Sequence, residues 1–232
     1  MKNYNKILEA INRGIQLALD DFDDEEQVYH VKSKQVQNRD YTKEYLDWQK
    51  LIVNLESGTL SKQDIEELAK LSKITNMKYS VNSSSDLTDL VDYIDNIDHN
   101  ANLNWIDTST IRDMAYLFIG KTEFNGDISE WDVSKVKNMS YMFADCPNFN
   151  QPLNNWNVSN VENMESMFSN CQKFNQPLNN WDVSKVKDLS GMFQWCYRFN
   201  QPINNWDTYN AKDTDNIFRE CPIKEEYKPI LI

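Results

Sequence analysis

Residues 149–171 read FNQPLNNWNVSNVENMESMFSNC, and residues 174–196 read FNQPLNNWDVSKVKDLSGMFQWC. The two stretches lie 25 residues apart, and the register extends both ways without a gap. Phe118, Phe143, Phe168, Phe193 and Phe218 share one phase, and Cys146, Cys171, Cys196 and Cys221 share another. Met114, Met139, Met164, Leu189 and Thr214 keep step, as do Trp131, Trp156, Trp181 and Trp206. One period before Trp131 stands Ile106; Trp105 is out of phase by one residue. Self-similarity at a fixed period is the mark of a repeat architecture, because one unit cannot bury its apolar face alone and must stack on its neighbours.

Each unit carries two hydrophobic spacings. Val161, Met164, Met167, Phe168 and Cys171 follow one another at 3, 3, 1 and 3, the stripe of a short helix, with Ser159 placed as its N-cap. Leu153, Trp156, Val158 and Val161 fall at i, i+3, i+5 and i+8, the leucine-rich-repeat spacing that puts one short strand per unit on a parallel sheet. The spacing therefore predicts an α/β fold: a leucine-rich-repeat-like right-handed solenoid of five 25-residue strand–helix repeats over 99–223, preceded by an α-helical N-terminal region. Its rungs would lie about 4.8 Å apart at the strands. Residues 76–98 read as an N-terminal cap and 224–232 as a C-terminal tail.

The N-terminal part is of a different kind. Ile7, Leu8, Ile11, Ile15, Leu19 and Phe22 recur every three to four residues and predict an amphipathic anchor helix over 1–27. It ends in the acidic run Asp20 to Glu26, where a helix macrodipole disfavours anions. Residues 28–41 read as a polar linker. Residues 42–75 read as a helical hairpin, with Gly58 fit for a C-terminal cap and Ser61 for an N-cap.

Composition narrows the function. A net charge of −12 opposes nucleic-acid binding, which needs clustered cations. No apolar run approaches the roughly 20 residues of a membrane span, and the first residues lack a signal-peptide core, so neither membrane insertion nor ordinary export is expected. The cysteines, 25 residues apart, match no zinc-ligand spacing and read as a reduced core ladder. His30 and His99 lack any partner pattern for catalysis. Gly120, Gly126 and Gly191 are isolated, so the repeats hold no phosphate loop, and the acidic run lacks the glycine of a calcium loop. No metal, cofactor or enzymatic activity is expected.

The motifs FNQPLNNW and WDVSKVKNMSYMF, with the cysteine that follows, resemble the BspA-like bacterial surface repeats, a leucine-rich-repeat-like family found on lipoproteins and adhesins. That resemblance covers residues 99–223 and implies a non-catalytic surface or binding role. The segment EAINRGIQLALDDFDDEE resembles the opening of virion-associated proteins of crAss-like gut bacteriophages. Together they imply a structural or host-contacting binding module of a bacteriophage virion, assembled in the host cytoplasm and docked on other subunits through its N-terminal helix. The alternative is a protein-binding or adhesion module of a bacterium, located in its cytoplasm. A host-surface protein or glycan is the partner expected on the repeats.

Positions that break the repeat are the candidate binding residues, since repeated apolar positions are needed for the core. Trp105 stands where later units have Glu130, Asn155, Asn180 and Asn205, which places it on an exposed face. Trp195 and Tyr197 flank Cys196 where other units carry small or polar residues, and exposed aromatics are typical of interface hot spots. The column Asp107, Asp132, Asn157, Asp182 and Asp207 would give that face a negative potential.

Overall fold

A computed structural model of the chain describes residues 42–231. The anchor helix, its residues Ile7, Leu8, Ile11, Ile15, Leu19 and Phe22, and the linker lie outside the described residues. The described part begins with helices α1 (Thr42–Glu56) and α2 (Lys62–Thr75). Between them Gly58 adopts φ 69, and the amides of Gly58 and Thr59 close on the carbonyls of Leu55 and Asn54. This closure satisfies carbonyls that the end of α1 would otherwise leave unpaired. Ser61 and Asp64 then form a reciprocal capping box at the start of α2.

Strand β1 (Tyr79–Ser80) leads into helix α3 (Ser84–Asp95), whose N-cap Ser83 accepts from the Asp86 amide. Strand β2 (Ile106–Asp107) pairs in parallel with β1, Tyr79 facing Ile106. Leu87, Leu90, Val91 and Ile94 of α3 are buried, and so are Ile65, Leu68 and Leu71 of α2. They belong to the same apolar core as the repeats. The Tyr93 hydroxyl accepts from the Leu60 amide at 2.9 Å and so ties α3 to the start of α2.

From Ala101 onward the chain runs in 25-residue coils, each laid on the one before. Single parallel bridges join them at Asp113↔Asn138, Asn138↔Asn163, Asn163↔Asp188 and Asp188↔Asp213. Each bridge begins a row of bonds in which every second amide donates to the next coil. The amides of Met139, Tyr141, Phe143 and Asp145 reach the carbonyls of Asn163, Glu165, Met167 and Ser169 at 2.8–2.9 Å.

The spacing predicts a helix in this part of each repeat, and the structure has turns instead. Among the described residues no α-helix occurs after Asp95. The amides an α-helix would use internally point to the neighbouring coil, and the rest close three-residue turns such as Met142 N–H on Met139 O. Left-handed residues recur in two columns: Tyr116, Tyr141, Ser166, Gly191 and Asn216, then Gly120, Asp145, Asn170, Trp195 and Glu220. A left-handed residue other than glycine costs about 1–2 kcal/mol. That cost is outweighed, because one coil buries Leu153, Trp156, Val158, Val161, Met164, Met167 and Phe168, each worth about 1.5–3 kcal/mol. Nor is Ser159 a helix cap; its amide and hydroxyl both donate to the Asn157 side chain.

The core is two aromatic columns in contact. Ring centroids along Phe118, Phe143, Phe168, Phe193 and Phe218 are 5.2, 5.5, 5.7 and 5.9 Å apart, with planes within 7°. Phe124, Phe149, Phe174 and Phe199 form a second column at 5.9–6.0 Å. Within each coil the two columns meet, as at Phe143 and Phe149, 4.1 Å apart.

Three sets of polar side chains in the repeats are satisfied across coils. Trp131, Trp156, Trp181 and Trp206 donate their indole N–H to the carbonyls of Leu103, Ile128, Leu153 and Leu178. Cys146, Cys171 and Cys196 donate Sγ–H to Phe118, Phe143 and Phe168 in the same way. Asn125, Asn150 and Asn175 accept the amides of Asn150, Asn175 and Asn200, while Gln151, Gln176 and Gln201 donate back to the asparagine carbonyls. Trp156→Phe keeps an apolar ring but removes the indole donor from the Ile128 carbonyl, which retains the Trp131 amide. It should cost about 1–3 kcal/mol of unfolding free energy, combining one lost hydrogen bond and a small cavity, measured by urea denaturation.

Candidate binding surface

Trp105 is not on an exposed face: it is fully buried. Its neighbour Ile106 fills the phase of the tryptophan column, and the Trp105 ring packs edge-on against Tyr79 of β1 at 6.3 Å. At this end the next layer is the N-terminal cap, and a large apolar side chain meets it where later coils show solvent a polar one. The Trp105 indole N–H has no hydrogen-bond partner among the described residues. Trp105 is therefore removed from the candidate recognition residues.

The acidic column also does something other than expected. Oδ1 of Asp107, Asp132, Asp182 and Asp207 accepts the amide two residues on, from Ser109, Ser134, Ser184 and Tyr209 at 2.9–3.1 Å. Asn157 does the same for Ser159. These are turn-bracing side chains, and the asparagine in the middle of the series shows that the turn does not need the charge. Hydrogen bonds from Ser109 hold the Asp107 carboxyl below its ordinary range, and those from Ser184 do so for Asp182. Glu162, between Lys187 and Lys137 of the adjoining coils, is held at about 2.

Trp195 and Tyr197 do reach solvent, at 37% and 54% exposure, while Cys196 between them is buried. Trp195 has φ 58, in a column where other coils place Gly120, Asp145 and Asn170. The Arg219 guanidinium lies 5.9 Å from its ring. Tyr197 lines an open cleft of about 370 Å³ with Glu220, Cys221 and Pro222.

Two exposed aromatic features were not singled out from the sequence. Tyr209, 76% exposed, replaces the serine of every earlier coil, and that substitution in a column was the available signal. Tyr116 and Tyr141 stack at 5.1 Å with planes 5° apart, and the Tyr141 hydroxyl donates to Glu165. Their signal was a pair of tyrosines one period apart.

Burial pushes the Cys146 thiol up to about 12 and those of Cys171 and Cys196 well above their ordinary value. These thiols are protonated core groups rather than nucleophiles or ligands. His99 pairs with Asp95 at 3.0 Å. Among the described residues no group of three or more histidine, cysteine or acidic side chains could hold a metal ion, and no helix is long and apolar enough to cross a membrane.

A family model described as "Mycoplasma protein of unknown function, DUF285" matches residues 52–158, 85–194 and 154–226, three overlapping stretches that run from α1 to the last turn. No curated protein and no solved structure matches the chain.

Two measurements check the assignments above. Trp105→Phe removes a buried donor that has no partner among the described residues, so it should destabilise less than Trp156→Phe by about 0.5–1.5 kcal/mol. A carboxyl lowered on folding stabilises the protein above its unfolded value of about 3.9 and loses that contribution as pH falls through the folded value. Urea midpoints should therefore fall from about pH 5 downward, and less steeply in Asp182→Asn, whose new side chain can brace the turn as Asn157 does.

Proposed function

The chain belongs to that Mycoplasma family of unknown function, and within it we propose a non-catalytic repeat module that binds other proteins. The observation that carries this reading is Trp195. A large aromatic at a left-handed position is disfavoured by its own backbone, and the columns beside it show that glycine, aspartate or asparagine serve the coil equally well. Its ring adds little to the core, being more than a third exposed. A side chain that costs backbone strain without being buried is explained by a contact outside the chain. Trp195, Arg219 and Tyr197 are also the residue types that dominate interface hot spots.

The architecture that best accounts for stacked 25-residue coils is a leucine-rich-repeat-like right-handed solenoid, in which the columns needed for packing stay fixed and the remaining positions are free for recognition. Absence of catalysis is the matching half of the proposal: the repeated polar side chains are committed to neighbouring coils or to turns. Of the two settings the sequence leaves open, the family's Mycoplasma description favours a bacterial protein. The virion setting, with kinship to phage proteins, rests on residues 1–27, outside the described part, and the BspA-like kinship rests on the repeats alone.

Trp195→Asn tests the binding role against a structural one. Asparagine already occupies this position in the preceding coil, so thermal unfolding should be unchanged or raised, by up to about 1 kcal/mol. Affinity capture from bacterial lysate with the full chain and with this variant should yield a set of proteins that the variant loses. Identical capture by both chains, or a variant that unfolds, would remove Trp195 as the binding anchor.

A further inference from the structure

The rows of alternate amides that follow each bridge point toward the C-terminal end, while single amides just before them, such as Lys187 on Glu162 and Lys212 on Lys187, point back. Leu189, Gly191, Phe193 and Trp195 donate to Asp213, Asp215, Ile217 and Arg219. One period later the corresponding donors are the amides of Thr214, Asn216, Phe218 and Glu220. None of these four has a hydrogen-bond partner among the described residues, although the amides between them are paired: Asp215 with the Asp213 side chain, Ile217 with Thr214 and Arg219 with Asn216.

The C-terminal tail leaves this row open. Tyr227 O takes the Ile203 amide, Ile230 O takes the Thr208 hydroxyl, and the Lys224 amide donates to Asn200, so the tail covers the opposite part of the last coil. The Lys228 ammonium, 5.7 Å from the Phe218 ring, reaches across. Asn216 and Glu220 are exposed, and Thr214 and Phe218 are half-buried. An unpaired row of amides of this kind is a template for another extended chain.

Charge favours a basic occupant. Asp213, Asp215 and Glu220, within or beside the row, have no ion-pair partner among the described residues, against Lys212 and Arg219. A second copy is disfavoured, because each chain carries −12. Moreover, the matching carbonyl row at the other end, on Ala115, Leu117 and Ile119, lies on the α3 side, where Ser84 already bonds to Asp113 O.

We infer that the open row Thr214, Asn216, Phe218 and Glu220 is a docking edge for an extended, basic segment of a partner protein, which joins the stack as a further rung by presenting carbonyl oxygens at every second residue. The inference rests on the reading of the chain as a protein-binding module, but not on the aromatic side chains that carry that reading. The four coil junctions already present supply the pattern of the occupant: the carbonyls of Asp188, Ser190, Met192 and Gln194 fill this role for the coil before them.

A synthetic peptide with the sequence of residues 185–195, KVKDLSGMFQW, supplies those carbonyls together with two lysines, and serves as the probe. Added to the full chain, it should slow hydrogen exchange of the Thr214, Asn216, Phe218 and Glu220 amides at least about tenfold. Replacing the Ser190 and Met192 carbonyls of the peptide by methylenes should abolish the effect, and replacing both its lysines by aspartate should weaken binding severalfold. Four amides already protected in the free chain, or unprotected at saturating peptide, would overturn the inference, as would protection that grows with protein concentration alone and so signals a second copy. The Trp195→Asn chain separates the two readings. Retained protection there supports an edge that acts through its backbone. Loss would assign the peptide to the aromatic patch and overturn the edge while leaving the binding module standing.

Discussion

Four amides per coil donate to the next coil instead of within their own, and most of the other features follow from that. A segment that sends every second amide outward cannot be an α-helix, because the intervening amides have only a three-residue turn left to close. Such turns keep the chain narrow only if some residues adopt left-handed φ, and two columns do so in every coil. The arrangement is tolerable because it brings each phenylalanine within 6 Å of its counterparts above and below. Stacked rings and backbone bonds thus reinforce one another at the same spacing.

The same constraint explains the composition. A narrow coil with a dry interior leaves carbonyls inside it, and buried carbonyls without partners are costly. Indole N–H and thiol S–H groups from the following coil add a second donor to carbonyls that already accept an amide of their own coil, and FNQ supplies an amide acceptor and donor at a further point. Cysteine in this role acts as a small apolar residue with one donor, which is why burial drives its thiol far from ionisation. The tryptophan, cysteine and asparagine columns are consequences of stacking, and none of them requires a ligand.

Much of this was legible in the sequence, because burial repeats and the letters repeat with it. The phenylalanine, methionine, cysteine and tryptophan phases can be read directly, and Ser61 can be read as a cap from Asp64 three residues on. Two things were not legible. Spacings of 3 and 4 fit a helix as well as they fit successive turns, and the difference lies in φ at positions such as Tyr141 and Ser166, which are not residues that announce a left-handed backbone. Trp105 looked like a surface aromatic because its later counterparts are polar, but the counterpart rule assumes a coil on either side, and here one neighbour is the cap. The recurrence of the acidic column comes from turn bracing, which any Asx side chain can perform and which the carboxylates do not announce.

Recognition in such a stack is confined to what stacking leaves over. A column that changes identity without entering the core, as Gly120, Asp145, Asn170, Trp195 and Glu220 does, is open to selection for contact. The ends are left over in a second sense. In this row each interior coil both gives and receives bonds, whereas the first coil keeps spare acceptors and the last keeps spare donors. Helix α3 takes one of those acceptors through Ser84, while the tail pairs with the last coil elsewhere and leaves its donors free. Because the row of alternate amides runs in one direction, the two ends of that row are chemically unlike, and the exposed aromatics Trp195 and Tyr197 stand beside the end that donates. Side chains freed from the core and backbone freed from the ladder therefore meet on the same part of the molecule.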